Sequence, residues 1–586
     1  MTFSPFLLII SFIISGCSEN TSDQNVVVAH LLSEPDNLHP TNGVSEQRSF
    51  IFRYSQATLL DLDIATEQMV PMLTSSLPHV SPDGLTYTFT LREDVQWDDG
   101  ETLTPDDVLF TLKVVLCPLT ENATTKSLFE NIEDFEQTSA YSFKLKMREK
   151  YVGNLASLTT LFLLHKRHYD PEDVLSAFSL HEISRMDPDS AVNEKAERLK
   201  KWMESFNSGT MGHEPAKLYG LGPYQVTEWN TGNSVTLEKK NDWWGEDDTL
   251  SSLQAIPEKI IFRIIRDEAA VSLALQKEEL DVSTYLHTST LMELQEKEQF
   301  NETYYSGYVD QYSYTYIALN MRPDGTSQKP FFSDKRVRRA MALLVPYDEL
   351  IETILHGKGG RQVSFESPLN KMDYNDTLAL LNPDIEKARR LLEAAGWKDT
   401  DGDNIRDKTI NGEKISFVFK LNYSNLPATR NAILILKDIM YQAGIVVEPN
   451  PMDFNLLYEK VMSHQFDAHY GAWNTSAGPT DPGQVWSTEA WRNNGLNFSG
   501  FGNSTTDSLI ALSNRTLDPE KRAKYIKQLQ AIVYQEQPYI FLYTWPRKIA
   551  IHKRFDNPGM YPERPSVMLN TFRLIPGGAV KRPLPE

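Results

Sequence analysis

The run and alternation of apolar residues along the chain predict its strands and helices. Residues 26–32 are almost continuously apolar and predict a buried strand. Residues 312–321 carry large or apolar side chains at both parities, which is typical of a strand covered on both faces. Residues 260–265 predict another strand, and residues 268–277 follow it at helical spacing. Strands that alternate with helices in this way favour an α/β architecture.

Capping residues locate several helix ends. Thr104 stands before Pro105, Asp106 and Asp107, a combination that predicts an N-cap and an acidic first turn aligned with the helix dipole. We therefore predict that the paired acids cap a helix and do not catalyse. Ser333 or Asp334 similarly starts a predicted helix before residue 346. A further helix is predicted over residues 348–355, closed by Gly357, and another over residues 48–60.

Length and charge narrow the function classes. The chain has 586 residues, more than one hydrophobic core accommodates, so at least two lobes are expected. Its formal net charge of −21 repels phosphate backbones, so nucleic acid is not a predicted partner.

The N-terminus has the anatomy of an export signal. Residues 6–14 form an apolar run too short to span a bilayer. The sequence Ile-Ser-Gly-Cys at residues 14–17 resembles the bacterial lipobox, whose cysteine is acylated. We predict a lipoprotein signal peptide over residues 1–17, lipidation of Cys17 and a polar tether over residues 18–25. A cytoplasmic protein with an apolar N-terminus is the alternative. Cys117, the other cysteine, is predicted to be a buried apolar residue without a chemical role.

Several motifs resemble one bacterial family. They are WDDGETLTPDDVLFT at residues 97–111, YGLGPYQVTEW at 219–229, DWWG at 242–245 and QPYIFL at 537–542. Their order and content resemble the bacterial extracellular solute-binding proteins of family five, the peptide-binding components of ABC importers. The similarity covers about the whole mature chain.

This resemblance implies a two-lobed periplasmic-binding-protein fold of α/β type, with an enlarged first lobe and a hinge of two crossing strands. Lobe I is expected to comprise residues 26–312 and 549–586, and lobe II residues 313–548. A ligand would lie in the cleft between the lobes, because hinge closure is favoured when a ligand contacts both of them.

The resemblance also implies a binding segment, GAWNTSAGPTDPGQVW at residues 471–486. Peptide binders of the family place a tryptophan and an amine-pairing aspartate there. Trp473 and Asp481 match the pattern, but Asn474, Thr475 and Ser476 replace the intervening acid. Asp481 either takes over the amine or serves a turn before Pro482. The predicted ligand-binding residues are Asn42, Trp473, Asn474, Thr475, Asp481 and Trp486. Core packing is expected for at least one of Trp473, Trp486 and Trp491.

The acid-rich stretch at residues 399–407 has the alternating acids of a calcium-binding loop. Its glycine falls at the fourth place, and Ile410 stands where an EF-hand carries glutamate. A polar turn is therefore the favoured prediction over a cation site. His165 and His168 are predicted to be surface or interface groups. We predict no cofactor, no metal site and no enzymatic activity, since no catalytic motif is present.

The predicted function is that of a solute-binding protein, lipid-anchored in the periplasm or at the cell surface. It would capture peptides or a similar small solute and deliver them to an ABC permease and its ATPase, touching the membrane only through the lipid anchor. A ligand-sensing receptor of the same fold is the alternative, and a secreted hydrolase is a third.

Overall fold

A computed structural model describes residues 25–187, 193–322, 329–556 and 559–578. The predicted signal peptide, Cys17 and residues 18–24 of the tether lie outside these ranges. Within the described ranges, no helix combines the length and the apolar character that crossing a bilayer requires.

The strands, in chain order, are β1 Val26–Leu31, β2 Leu60–Asp63, β3 Gln68–Pro71, β4 His79–Val80, β5 Thr86–Thr90, β6 Ile132–Gln137, β7 Ser142–Met147, β8 Tyr224–Asn230, β9 Ser234–Lys239, β10 Lys259–Ile264, β11 Val282–Ser283, β12 Tyr304–Val309, β13 Ser313–Leu319, β14 Gly360–Arg361, β15 Asp407–Ile410, β16 Glu413–Ser416, β17 Val418–Ser424, β18 Val446–Met452, β19 Ala468–Asn474, β20 Tyr539–Thr544, β21 Arg547–His552, β22 Phe555–Asp556 and β23 Arg573–Leu574.

The α-helices are α1 Glu46–Ser55, α2 Pro105–Leu116, α3 Ala123–Phe129, α4 Asn154–Leu158, α5 Lys166–Tyr169, α6 Leu180–Ser184, α7 Glu194–Phe206, α8 Glu268–Gln276, α9 Thr288–Gln295, α10 Glu298–Thr303, α11 Lys335–Leu343, α12 Tyr347–Leu355, α13 Ile385–Ala394, α14 Pro427–Gln442, α15 Phe454–Met462, α16 Gly483–Trp486, α17 Thr488–Arg492, α18 Ser504–Arg515 and α19 Pro519–Glu536. Short 3-10 helices cover Leu175–Ala177, Gly209–Gly212, Pro215–Lys217, Ser251–Leu253 and Leu569–Thr571.

A seven-stranded sheet in the order β12-β21-β11-β1-β10-β9-β8 forms the centre of the first lobe. Strand β1 pairs in parallel with β10 and β11, and all of its residues are buried. Val27 packs into the core on one face of this sheet, and Val28 packs into the core on the other. The continuous apolar run predicted this double burial.

A four-stranded sheet in the order β4-β5-β7-β6 enlarges the first lobe and packs with helix α2. The predicted cap of α2 is confirmed, because the Asp107 carboxylate accepts the Thr104 N–H at 3.0 Å. Asp107 therefore stabilises a helix start, as its position after Pro105 indicated. Cys117 is buried directly after this helix.

A six-stranded sheet in the order β14-β20-β13-β19-β17-β18 forms the second lobe. Strand β13 lies between β19 and β20 with every residue buried, which confirms the strand predicted over residues 312–321. Ile317 and Leu319 join one core of this lobe, whereas Tyr314 and Tyr316 join the other.

The chain passes between the two large sheets twice, from β12 to β13 through residues 310–312 and from β20 to β21 through residues 545–546. We call the part built on the seven-stranded and four-stranded sheets lobe I, and the part built on the six-stranded sheet lobe II. The lobe boundaries predicted at residues 312 and 549 remain our proposal. Strand β21 of the first sheet begins at Arg547, just before the second of them.

Candidate functional site

The candidate site lies where the two crossings bring the lobes together. Gln311 in the first crossing donates its side-chain N–H to the carbonyl oxygen of Trp545 in the second, at 3.0 Å. The Lys358 ammonium of lobe II lies 5.2 Å from the ring centre of Tyr308 in lobe I. The crossings are therefore cross-linked to each other, and side chains from both lobes meet beside them.

Residues 475–482, which follow β19, form a segment that we call the junction segment. Its first residue, Thr475, donates its backbone N–H to the carbonyl oxygen of Tyr312 at 2.7 Å. Ala477 donates its N–H to the carboxylate of Glu563 in lobe I at 2.6 Å. The segment predicted from the sequence to bind ligand thus runs along the boundary between the lobes.

Asp481 in the junction segment is hydrogen-bonded on both carboxylate oxygens. Oδ1 accepts the N–H of Gly483 at 2.7 Å and the side-chain amide of Asn514 at 2.6 Å. Oδ2 accepts the hydroxyl of Tyr151, a lobe I residue, at 3.1 Å. In this conformation both oxygens of the Asp481 carboxylate are used, one within lobe II by the turn to Gly483 and by Asn514, the other by Tyr151 of lobe I.

Trp473 lies at the edge of the lobe II core, half-buried on strand β19. Its indole stacks on Phe498 with ring centres 5.7 Å apart and on Tyr316 at 6.2 Å. A side chain on Gly471 would come within 2.8 Å of the Tyr316 ring, so glycine at this position lets that ring lie across β19. Trp473 is partly exposed, two residues before the junction segment begins.

The other predicted binding residues are dispersed. Trp486 is only 1% exposed and packs against Phe365, Phe501 and Tyr539, so we correct its assignment to a core residue. Asn42 lies within lobe I, where its amide is 3.4 Å from Asn207. Asn474 is exposed at the end of β19, opposite Ser313.

Two carboxylates of lobe I were not predicted, Glu67 beside the first crossing and Glu563 beside the junction segment. Glu67 accepts the Tyr312 hydroxyl at 2.7 Å, and Glu563 accepts the Ala477 N–H. Burial raises the pKa of Glu563, and the negative charge of Glu67 adds to the shift against the opposing Arg564. Partly desolvated carboxylates of this kind favour a cationic partner. Glu563 lies after β21, the last strand of the seven-stranded sheet in chain order. No sequence motif surrounds it, so the sequence did not predict its role.

Positive charge is also collected near the crossings. Glu46 at the start of α1 lies 3.4 Å from Arg547 and 3.5 Å from Arg564, and its carboxylate accepts the Tyr285 hydroxyl at 3.3 Å. Burial lowers the pKa of Lys548 to about 8. Glu46 is therefore a single acid between the guanidinium groups of Arg547 and Arg564. These three side chains together carry one net positive charge, which lies beside Glu67 and Glu563.

The junction segment rests on a buried polar cluster in lobe II. The Thr480 hydroxyl donates to Glu366 at 2.7 Å, and Arg522 donates to the Thr480 carbonyl oxygen at 2.8 Å while pairing with Asp373. Burial raises the pKa of Glu366 to about 7. These contacts fix the backbone beside Asp481 from within lobe II.

In the described part of the chain, two groups of acidic or histidine side chains lie close enough together to hold a metal ion, and members of each make hydrogen bonds or ion pairs of their own. In the stretch 399–407, Asp399 accepts the N–H groups of Gly402 and Asn404, as the favoured turn prediction requires. His165 is 1% exposed, which corrects the surface position, one of the two positions predicted for it. Its Nδ1 accepts the His168 N–H at 2.9 Å, and its Nε2 lies 3.5 Å from Asp99 and 3.6 Å from Glu101.

Comparison with known proteins identifies a family. A family model described as "Bacterial extracellular solute-binding proteins, family 5 Middle" matches residues 68–495. The oligopeptide-binding protein AppA of Bacillus subtilis (strain 168) is 25% identical over 497 residues, which cover 82% of this chain and 79% of AppA.

Solved structures show the same fold. The structure of AppA from Bacillus subtilis in complex with a nonapeptide has a TM-score of 0.71 at 22% identity, covering 94% of this chain and 99% of that one. NikA from Brucella suis in complex with Fe(III)-EDTA has a TM-score of 0.74 at 19% identity, covering 94% of this chain and 100% of that one. The predicted two-lobed α/β architecture is confirmed.

Proposed function

The chain belongs to the bacterial extracellular solute-binding proteins of family 5, and from that premise we propose that it captures peptides between its lobes and delivers them to an ABC importer. The family consists of binding proteins, and we extend this to the chain by proposing that it performs no catalysis. AppA, a relative over most of the chain, is named for oligopeptide binding, which supports the ligand class.

The observation that carries the proposal is the junction segment, which belongs to lobe II yet hydrogen-bonds to Glu563 and Tyr151 of lobe I. A ligand that contacts both sides of such a boundary stabilises the closed form by its differential affinity for that form. Extended peptides suit the boundary because their backbone groups pair with exposed backbone and their side chains enter adjoining pockets.

We propose that Glu563, with Glu67 beside it, receives the positively charged group of the ligand. The acid expected between Trp473 and Asp481 is missing, and Asp481 already accepts three hydrogen bonds, whereas Glu563 accepts two. Glu563 lies against Ala477, within the stretch that lacks the acid. A buried carboxylate gains more from an ammonium partner than an exposed one, because water screens it less.

We also propose that Cys17 is acylated and anchors the protein in the periplasm or at the cell surface. The Ile-Ser-Gly-Cys sequence and the preceding apolar run support this anchor. The full-length chain, with residues 1–17 present, is expected to label with radioactive palmitate in a bacterial host, and Cys17→Ser is expected to abolish the label. Equal labelling of both chains would refute the anchor.

Thermal shift tests the ligand class. The mature chain is screened against pooled short peptides, with the equivalent mixture of free amino acids as control. A peptide at ~100-fold its Kd is expected to add about 2.7 kcal/mol to the free energy of unfolding. The ligand proposal fails if peptides move the melting temperature no more than amino acids do.

A matched peptide pair tests the charge assignment. Acetylation of the N-terminus of a binding peptide removes its positive charge, so we expect its affinity to fall at least tenfold. Glu563→Gln is expected to lose this discrimination while still folding, because glutamine retains an oxygen for the Ala477 N–H. Full discrimination in Glu563→Gln would assign the ammonium to another group.

A further inference from the structure

Tyr151 and Asp481 join the lobes at a place that belongs to neither crossing. Tyr151 follows β7 of the four-stranded sheet in lobe I, and Asp481 lies in the junction segment of lobe II. Their hydrogen bond, from hydroxyl to carboxylate at 3.1 Å, spans 330 positions of the chain. A bond between two rigid bodies exists only while those bodies are close together.

Each partner is positioned by its own surroundings. A side chain on Gly153 would come within 2.4 Å of the Tyr151 ring, and one on Gly483 within 2.9 Å of the Asp481 carboxylate. The lack of a side chain at Gly153 and at Gly483 therefore leaves room for the Tyr151 ring and the Asp481 carboxylate. The amide of Asn514 holds the Asp481 carboxylate at 2.6 Å from within lobe II.

Two neighbouring contacts reinforce the same meeting point. The Val152 N–H donates to the carbonyl oxygen of Asn514 at 2.8 Å, and Arg515 lies 3.5 Å from Glu149. Residues 149–152 of lobe I thus contact the end of helix α18 as well as Asp481. The three contacts form one continuous patch between the lobes.

We propose that Tyr151 and Asp481 form an inter-lobe latch, so that Asp481 acts on the closing equilibrium and not on the ligand. The latch rests on hinge closure, as the proposed function does, but on no particular ligand. Because the bond forms only in the closed state, its whole net free energy enters the ratio of closed to open molecules. The apparent affinity for any ligand that needs the closed state then rises with the closed fraction.

The bond requires a protonated tyrosine. Burial raises the pKa of Tyr151, and the charge of Asp481 raises it further. The hydroxyl therefore remains a donor throughout the neutral pH range. A merely structural tyrosine, packed without an inter-lobe partner, would not change the distance between the lobes when its hydroxyl is removed.

Pulsed electron spin resonance measures that distance without a ligand. Spin labels are attached at Glu136→Cys in lobe I and Lys521→Cys in lobe II of the mature chain carrying Cys17→Ser. Both sites are exposed, with side chains 64% and 71% accessible, whereas Cys117 is buried. Tyr151→Phe removes only the hydroxyl, and Tyr441→Phe, at an exposed site on α14, is the matched control.

Loss of one net hydrogen bond is expected to raise the open-to-closed ratio about 2- to 10-fold in Tyr151→Phe. Tyr441→Phe is expected to leave the distance distribution unchanged. If Tyr151→Phe gives the wild-type distribution, the latch is wrong.

A double-mutant cycle separates the latch from a general weakening of the fold. Asp481→Asn alone is expected to open the chain, and the double variant Tyr151→Phe/Asp481→Asn is expected to open it no further than the more open single variant. Additive opening by the two substitutions would overturn the pairing. Peptide binding by thermal shift is scored separately, so failure of the latch is distinguishable from failure of the proposed ligand class.

Discussion

Glu366 is a buried residue whose charge state we expect to change, with an effect on stability, within the neutral pH range. It is 3% exposed, and Thr480 donates to it from the junction segment. Burial raises its pKa to about 7, the nearby Asp373 adds to the shift, and Thr480 and Arg522 oppose it. Its protonated form is favoured inside the fold, so ionisation near neutral pH costs stability.

Glu366→Gln is predicted to stabilise the chain at pH 8 and to have little effect at pH 5. A raised folded pKa means that the contribution of the carboxyl is fully present below its unfolded pKa and is lost as pH rises through about 7. With the pKa raised from 4.5 to about 7 in the folded state, ionisation of Glu366 lowers the free energy of unfolding by about 3 kcal/mol at pH 8. At pH 5 the loss is below about 1 kcal/mol.

Urea unfolding at the two pH values measures this difference. Glu413→Gln, at an exposed position of β16, is the control and is expected to show no such pH dependence. Equal gains by Glu366→Gln at both pH values would show that the carboxyl does not ionise over this range.

At the scale of elements, a buried ion pair links the strand β21, late in the chain, to the first strand β1. Arg554, just after β21, pairs with Asp281 through two hydrogen bonds of 2.7 and 2.8 Å. Asp281 also accepts the N–H of Val28 in β1 at 2.8 Å. This buried pair joins three strands of the lobe I sheet that lie far apart in sequence.

Asp281→Asn is predicted to lower the free energy of unfolding by ~3–5 kcal/mol, because it leaves the buried Arg554 guanidinium without its countercharge. Glu386→Gln, which removes the exposed partner of Arg389, is the matched control and is expected to change stability little. Calorimetric melting of both variants measures the contrast. A similar small change in the two variants would mean that the buried pair is not needed for the lobe I sheet.

The sequence predicted strands and helices well where the apolar pattern or a capping residue gave a clear local signal. All residues of β13 are buried, as the apolar run indicated, and Asp334 caps α11. The predicted helix end at Gly357 is preceded by His356, which also takes a left-handed conformation with φ of 51°. The helix predicted over residues 48–60 instead ends at Ser55, since Leu60 begins a strand. Apolar leucines suit either element, so their pattern did not separate helix from strand.

The candidate site was predictable only in part, because its contacts join distant parts of the chain. The motif around Trp473 located the junction segment. Trp486 belongs to the same motif but lies in the core, a difference that depends on packing from Phe365 and Tyr539. Glu563 meets Ala477 across 86 positions and Tyr151 meets Asp481 across 330. Neither partner carries a local signal, so only the fold brings these groups together.

At the scale of the whole molecule, we propose that the two lobes close around a peptide. We propose that the lobes move relative to each other about the two crossings, and that the latch and the junction segment supply contacts that favour the closed form. A ligand that touches both lobes is therefore expected to make the molecule more compact.

Small-angle X-ray scattering of the mature chain tests this claim most directly, with a tryptic peptide pool compared against the same residues as free amino acids. We predict that the radius of gyration falls on addition of the peptides and stays constant with the amino acids. An unchanged radius of gyration at saturating peptide would contradict capture by closure of the two lobes.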